Sequence, residues 1–477
     1  MRRKTVVVII GVMFLLLDSF FAFSIDESMT EASSPEVEVF RGGRQFAFMF
    51  SWDDGGDDLA FSFLEDDLGF KHTTFAVTSQ IDVAQLWGLD MLFRGHDIQS
   101  HSREHLHHAQ LNQSYREYLL RQSISDIERV FGFTPIVFAY PYGSQNDAAQ
   151  EQALEFFRLA RGIQYESASN RGTWPIENPG HAVHSFPSVD GVKGKNMNRL
   201  ITTFEEMVAR AGDDYAAYKC YGHSKWFTPA ERSEFFEMLK QIAVRKDTWY
   251  TSWGEALAYQ LERDSLRITS SRRSKHSISF RTELDDDFSF GVALTYRIEI
   301  PRHWTEFAIA DGGRLSDKYV ISRENGRVFI LLDSIPVGQE IEVFAHSLSD
   351  TVCPRIENMR TIVTREGTAF LAEVIDDGSW ISDVDIAIVG KGIQISFFRV
   401  ENPVFWANST FGRVAFDLPD GIYDFIVSAT DSSGNRVSRT EKIKVTCPSR
   451  SQSINSSGLT SNGDILHLKA SYGASIL

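Results

Sequence analysis

The chain has 477 residues, 43% of them hydrophobic, with 36 Phe and 9 Trp; this is too apolar for a disordered protein and too long for one core, so two or three domains are expected. Its 48 Lys and Arg against 64 Asp and Glu give a formal net charge of −16, which argues against nucleic acid as a partner because phosphate binding needs clustered cations.

In chain order, residues 1–24, MRRKTVVVIIGVMFLLLDSFFAFS, set a basic start before an apolar run and close on small residues, the layout of a cleaved export signal. Asp18 interrupts the run, and inserting a carboxylate into a bilayer costs about 2.5–3.5 kcal/mol. A secreted or cell-surface location is expected, with a membrane partner only if the segment stays uncleaved. Residues 25–43 read as an acidic linker.

From 44 to 264, short apolar runs alternate with amphipathic stretches. The strand candidates are Phe46–Trp52, Thr73–Val77, Asp97–Ser100, Ile136–Tyr140, Tyr218–Tyr221 and Thr248–Thr251. Several are apolar on both faces, as buried parallel strands are. In YREYLLRQSISDIERVFG, Leu120, Ile124, Ile127 and Phe131 recur at helical spacing and Gly132 supplies the stop. Such alternation predicts an α/β layer or barrel.

After residue 265 the helical periodicity fades. Residues 265–350 and 351–447 read as two β-sandwich-like domains, and 448–477, rich in Ser, Asn and Gly, as a disordered tail. Cys353 and Cys447 bracket the second sandwich and could pair in an exported chain, whereas Cys220 lies in an apolar run and reads as a buried thiol.

The chemistry collects after the strands. FAFMFSW runs into Asp53-Asp54-Gly55, DIQS into HSREHLHH (101–108), IVFAY into Pro141-Tyr142-Gly143, and AYKCY into Gly222-His223. In parallel α/β folds these carboxyl-end loops share one face, so the four segments can converge. A carboxylate and two imidazoles four residues apart could bind a divalent ion and leave positions open for water. The spacing alone leaves open which imidazoles of the His-rich stretch serve; a polar loop is the commoner use of such a segment.

SWDDG (51–55), HSREH (101–105), AYPYG (139–143) and the strand-end His223 resemble, in order and spacing, the motifs of polysaccharide deacetylases, carbohydrate esterase family 4, over residues 44–264. The C-terminal DLPDGIYDFIVSATDSSGNRV resembles bacterial immunoglobulin-like or fibronectin-like sandwiches. The first resemblance implies a distorted β/α barrel and hydrolysis of acetyl groups on a polysaccharide or cell-surface glycan. It implies one divalent metal ion, zinc before cobalt, nickel or manganese, held by Asp54, His101 and His105. It further implies Asp53 as general base, His223 as general acid, and Pro141-Tyr142 as the oxyanion and substrate segment. His96, His107 and His108 fall outside the pattern and read as solvated surface, with one of them able to line a substrate groove.

Two departures stand out. The family's third motif carries an arginine that orients the base, where this chain has Ala139; Arg161, after a helix-like segment Gln150–Leu159, is the nearest substitute. The fourth motif, an Asp and a Trp, has only Asp190 and Trp174 as loose counterparts. The expected function is removal of acetyl groups from an N-acetylated polysaccharide. An O-acetyl esterase and a weakened, glycan-binding surface protein are the alternatives.

Overall fold

The computed structural model describes residues 34–446 apart from 56–57, 83–84, 163–182, 185–194, 337, 365 and 398–409. The expected signal segment and tail, Trp174, Asp190 and Cys447, with its pairing to Cys353, lie outside the described residues. Cys220 is buried, as its apolar run predicts, and burial pushes its thiol up.

The first part is a parallel sheet with helices. Its elements are β1 (Glu36–Val37), β2 (Phe46–Asp54), α1 (Asp58–Asp66), β3 (His72–Ala76), α2 (Gln85–Phe93), β4 (Asp97–Ser100), α3 (Gln113–Phe131), β5 (Val137–Ala139), α4 (Asp147–Leu154), β6 (Leu159–Gly162), β7 (Val183–His184), α5 (Lys195–Ala211), β8 (Ala216–Gly222), α6 (Pro229–Ala243), β9 (Thr248–Thr251) and α7 (Trp253–Ser265). The strand order is β7-β6-β5-β4-β3-β2-β8, with β9 beside the first half of β2, all pairs parallel. Because β2 meets β9 along Phe46–Met49 and β3 along Phe50–Asp54, the sheet splays there.

β2 shows why its run is apolar throughout. Phe46, Phe48, Phe50 and Trp52 face one core with α1, α5 and α6, while Ala47 and Met49 face another with α7. Trp52 is wholly buried between Phe50, Phe61 and Phe227, so its truncation would cost about 3–5 kcal/mol. The helix expected over Gln150–Leu159 ends at Leu154, since Leu159 starts β6, a strand too short to stand out in the sequence.

The middle part consists of β10 (Arg267–Arg273), β11 (Ser277–Glu283), β12 (Leu294–Ile300), β13 (Ala308–Asp311), β14 (Arg314–Leu315), β15 (Tyr319–Glu324), β16 (Arg327–Ser334) and β17 (Glu340–Phe344). They form two antiparallel sheets, β1-β12-β16-β15 and β10-β11-β17-β13-β14. The segment read as a linker therefore supplies β1: Glu36 and Val37 pair with Arg297 and Tyr296. The last part holds β18 (Arg355–Val363), β19 (Gly367–Ile375), β20 (Ile381–Gly390), β21 (Ile393–Phe397), β22 (Thr410–Phe416), β23 (Gly421–Asp431) and β24 (Arg436–Val445), in sheets β18-β19-β22 and β21-β20-β23-β24 around a shared core.

Neither β-rich part is an appendage. α7 is buried on all sides from Trp253 to Glu262, packed between the parallel sheet and Ile278, Phe280, Leu294 and Tyr296 of the middle part. On β19, Phe370, Ala372 and Val374 face their own sandwich, whereas Ala369 and Leu371 pack against Leu89, Phe93 and Ile98 of the α/β part.

Candidate active site

The motif residues meet at the carboxyl edge of the parallel sheet. Asp53 and Asp54 end β2, His101 follows β4, Pro141 and Tyr142 follow β5, Arg161 lies on β6, and His223 follows β8. Three non-glycine residues here, Asp54 (φ 79°), Ser102 (φ 69°) and Tyr142 (φ 56°), adopt left-handed backbone. Each such residue costs on the order of 1–3 kcal/mol, strain typical of sites that the surrounding fold over-determines.

Asp54 is the convergence point. Its Oδ1 lies 3.4 Å from His101 Nε2 and 2.9 Å from His105 Nε2, and its Oδ2 lies 3.9 Å from His223 Nε2 and 2.5 Å from Lys225 Nζ. Burial pushes the carboxyl up, but His101, His105 and Lys225 more than reverse this and hold it well below the usual carboxylate range.

His101 Nδ1 donates to the Ala139 carbonyl at 2.8 Å, which orients the ring with Nε2 toward Asp54, as in a metal-ligating histidine. With His105 converging on the same oxygen, one divalent ion could be held by all three groups, whose donor atoms lie within 4.8 Å of one another. The residues fit a metal.

Asp53 sits beside this cluster, 3% exposed, and accepts a hydrogen bond from Arg161 Nη2. The Arg161 guanidinium is itself held between rings, 4.6 Å from the Phe75 centroid and 5.1 Å from that of Tyr221. Tyr142 is 55% exposed and its N–H has no carbonyl partner among the described residues.

Some assignments change. His96 is buried, not solvated: its Nδ1 accepts the His72 N–H at 3.2 Å and its Nε2 lies 3.2 Å from Asp66, and burial, with His72 alongside, keeps its pKa well below the ordinary value. His108 is buried too, its Nε2 2.9 Å from Ser102 Oγ, and burial with His101 and Arg116 nearby lowers its pKa to about 3. Only His107 is exposed, and it stacks on Tyr142 at 4.1 Å. Adjacent histidines in a turn face opposite ways, so surface exposure could hold for just one of the pair.

Sequence reasoning missed Lys225, Asp58 and Trp226. Asp58, buried at the start of α1, accepts from Thr74 Oγ1 at 2.9 Å and from Ser224 Oγ, which ties the loop after His223 to β3. Trp226 is 57% exposed and stacks on His223 at 4.0 Å. The signal for Asp58 and Lys225 was only their nearness in sequence to Asp54 and His223.

Residues 43–156 match the polysaccharide deacetylase family. That stretch is a polysaccharide deacetylase domain. A gellan lyase of a Bacillus species is 21% identical over 341 residues, 63% of this chain; the chain spans only 13% of that protein's length. Among solved structures, a peptidoglycan deacetylase of Bacillus subtilis aligns over 46% of this chain and 92% of its own, at 14% identity and TM-score 0.32. A family 4 acetyl xylan esterase of Clostridium thermocellum, in complex with a cobalt ion, aligns over 44% and 90%, at 14% identity and TM-score 0.32.

Proposed function

We propose that this protein is a metal-dependent hydrolase that removes acetyl groups from an N-acetylated polysaccharide, with zinc as its ion. The observation that carries the reading is the convergence of His101 and His105 Nε2 on one oxygen of Asp54, with His101 oriented by the Ala139 carbonyl. The ion, when bound by Asp54, His101 and His105, supplies a Lewis acid and lowers the pKa of a water.

Asp53 takes the proton from the attacking water as general base, and Arg161 keeps its carboxylate aimed through a charge-assisted bond. The Tyr142 N–H donates to the oxygen that gains charge at the acetyl carbonyl. His223, on the other side of Asp54 from Oδ1, protonates the departing amine. Tyr142 and Trp226 are exposed aromatics, each in contact with a different histidine of the site, and their faces suit sugar rings.

The test is acetate release from chitooligosaccharides and from acetylated xylan. Release from the first supports an amidase of N-acetyl groups; release from xylan alone replaces this with an O-acetyl esterase. Binding of both without release makes the protein a glycan-binding one.

A further inference from the structure

A second convergence of carboxylates lies far from Asp54 in the fold. Asp350 is in the connection between β17 and β18, Asp376 directly follows β19, and Asp431 ends β23. One oxygen from each lies within 4.8 Å of the others. Asp376 and Asp431 are each 2% exposed.

In each carboxylate one oxygen is spent on local backbone. Asp376 Oδ1 accepts from the N–H groups of Gly378 and Ser379 at 2.8 and 2.7 Å, and Asp431 Oδ1 from Ser433 and Asn435 at 2.8 and 2.9 Å. Asp350 Oδ1 accepts from Val352 at 2.9 Å. Of the second oxygens, Asp431 Oδ2 takes the Asn435 side chain at 2.8 Å and Asp350 Oδ2 the Ser379 hydroxyl at 3.1 Å. Asp376 Oδ2 is buried with no hydrogen-bond partner. No Lys or Arg among the described residues pairs with any of the three.

Two buried carboxylates and a half-buried one facing one another repel, and a buried carboxylate oxygen without a partner is costly. The surroundings are nevertheless shaped to hold them there. A Cβ on Gly378 would stand 2.4 Å from Asp350 Oδ2, so a larger residue there would push that carboxylate from its present position. The hydroxyls of Ser379 and Ser433, 3.0 Å apart, add neutral oxygens at the same place.

We propose that Asp350, Asp376 and Asp431 bind one calcium ion. The donors are all oxygen, with no nitrogen or sulfur, which selects a hard cation. Calcium–oxygen bonds of about 2.4 Å let one ion join oxygens up to about 4.8 Å apart in irregular geometry, whereas magnesium demands shorter bonds and a regular octahedron. The site sits at the joint between the two β-rich parts. Leu315 N–H donates to the Gly378 carbonyl at 3.0 Å, Trp380 N–H to the Leu315 carbonyl at 2.8 Å, and Trp380 Nε1 to the Asp311 carbonyl at 3.2 Å. Calcium offsets two of the three negative charges at the turn that makes these contacts and fixes the 345–354 connection against it. This inference is independent of the deacetylase reading.

The experiment is elemental analysis and thermal unfolding of the full chain in EGTA, calcium or magnesium. Wild-type protein should retain one calcium after dialysis, and calcium at a hundredfold excess over its Kd should raise Tm by about 5 °C relative to EGTA, magnesium by less. The Asp376→Asn, Asp431→Asn variant should lose both the ion and the shift. Its amide oxygens still accept the turn N–H groups, so in EGTA it should melt no lower than wild type. The His101→Ala, His105→Ala variant should keep the calcium shift. A wild-type Tm indifferent to calcium, with no calcium bound, overturns the proposal, as does a shift that disappears in the His101→Ala, His105→Ala variant.

Discussion

Arg161 on β6 is the register partner of Ala139 on β5, and its guanidinium reaches Asp53 on β2. Partners on neighbouring parallel strands project to the same side of the sheet. The cation that the resemblance places at position 139 is thus delivered from one strand over, past a side chain small enough to admit it. Arg161→Ala should lower acetate turnover roughly 10²-fold with metal content unchanged, the scale of a mispositioned general base. Adding Ala139→Arg should recover part of the loss. Because Asp53 would lose its buried cation, the single variant should also be destabilised by about 3–5 kcal/mol, measurable by denaturant unfolding. Full turnover by Arg161→Ala would leave Asp53 without an orienting group.

The four histidines of residues 101–108 should separate cleanly. His101→Ala and His105→Ala should each abolish binding of the catalytic metal, read by elemental analysis. His107→Ala should keep the metal and weaken substrate binding, since it frees only the Tyr142 ring. His108→Ala should keep the metal but lose about 1–3 kcal/mol, because it strips the buried Ser102 hydroxyl of its partner.

Asp53→Asn and His223→Ala should each cost roughly 10²–10⁴ in turnover, as general base and general acid. Neither should release the ion. Normal rates in both variants would require a different mechanism.

Glu262 offers a pH test of how the parts are joined. It is buried at the end of α7 and accepts the N–H groups of Phe290 and Gly291 at 2.5 and 2.7 Å; burial, only partly offset by these bonds, pushes it up to about 8. A carboxyl raised in the folded state favours folding while protonated, and that contribution is lost as pH climbs from the ordinary carboxylate range through 8. Glu262→Gln should therefore match wild type near pH 4 and unfold at higher denaturant than wild type at pH 9.

Much of the α/β part was legible because its strands are buried on both faces and its motifs follow them. Asp97–Ser100 and Thr248–Thr251 match in extent, and β2 and β8 run only two or three residues beyond their apolar runs. β6 was hidden because four residues ending in Arg and Gly carry no strand pattern. β1 was hidden because two residues in an acidic stretch gain their strand character only from β12. At the site, Asp53, Asp54, His101, His105 and His223 were legible as a group, since the carboxyl ends of parallel strands share one face. The burial of His96 and His108 was not, because a buried imidazole depends on partners such as Asp66 and Ser102 that only the fold brings near.

The most direct measurement of the central claim is acetate release from chitooligosaccharides by protein stripped with a chelator and titrated with zinc. The account predicts loss of activity on stripping and linear recovery that saturates at one zinc per chain at the Asp54 site, with no recovery in His101→Ala. Undiminished release by protein free of transition metal would contradict it.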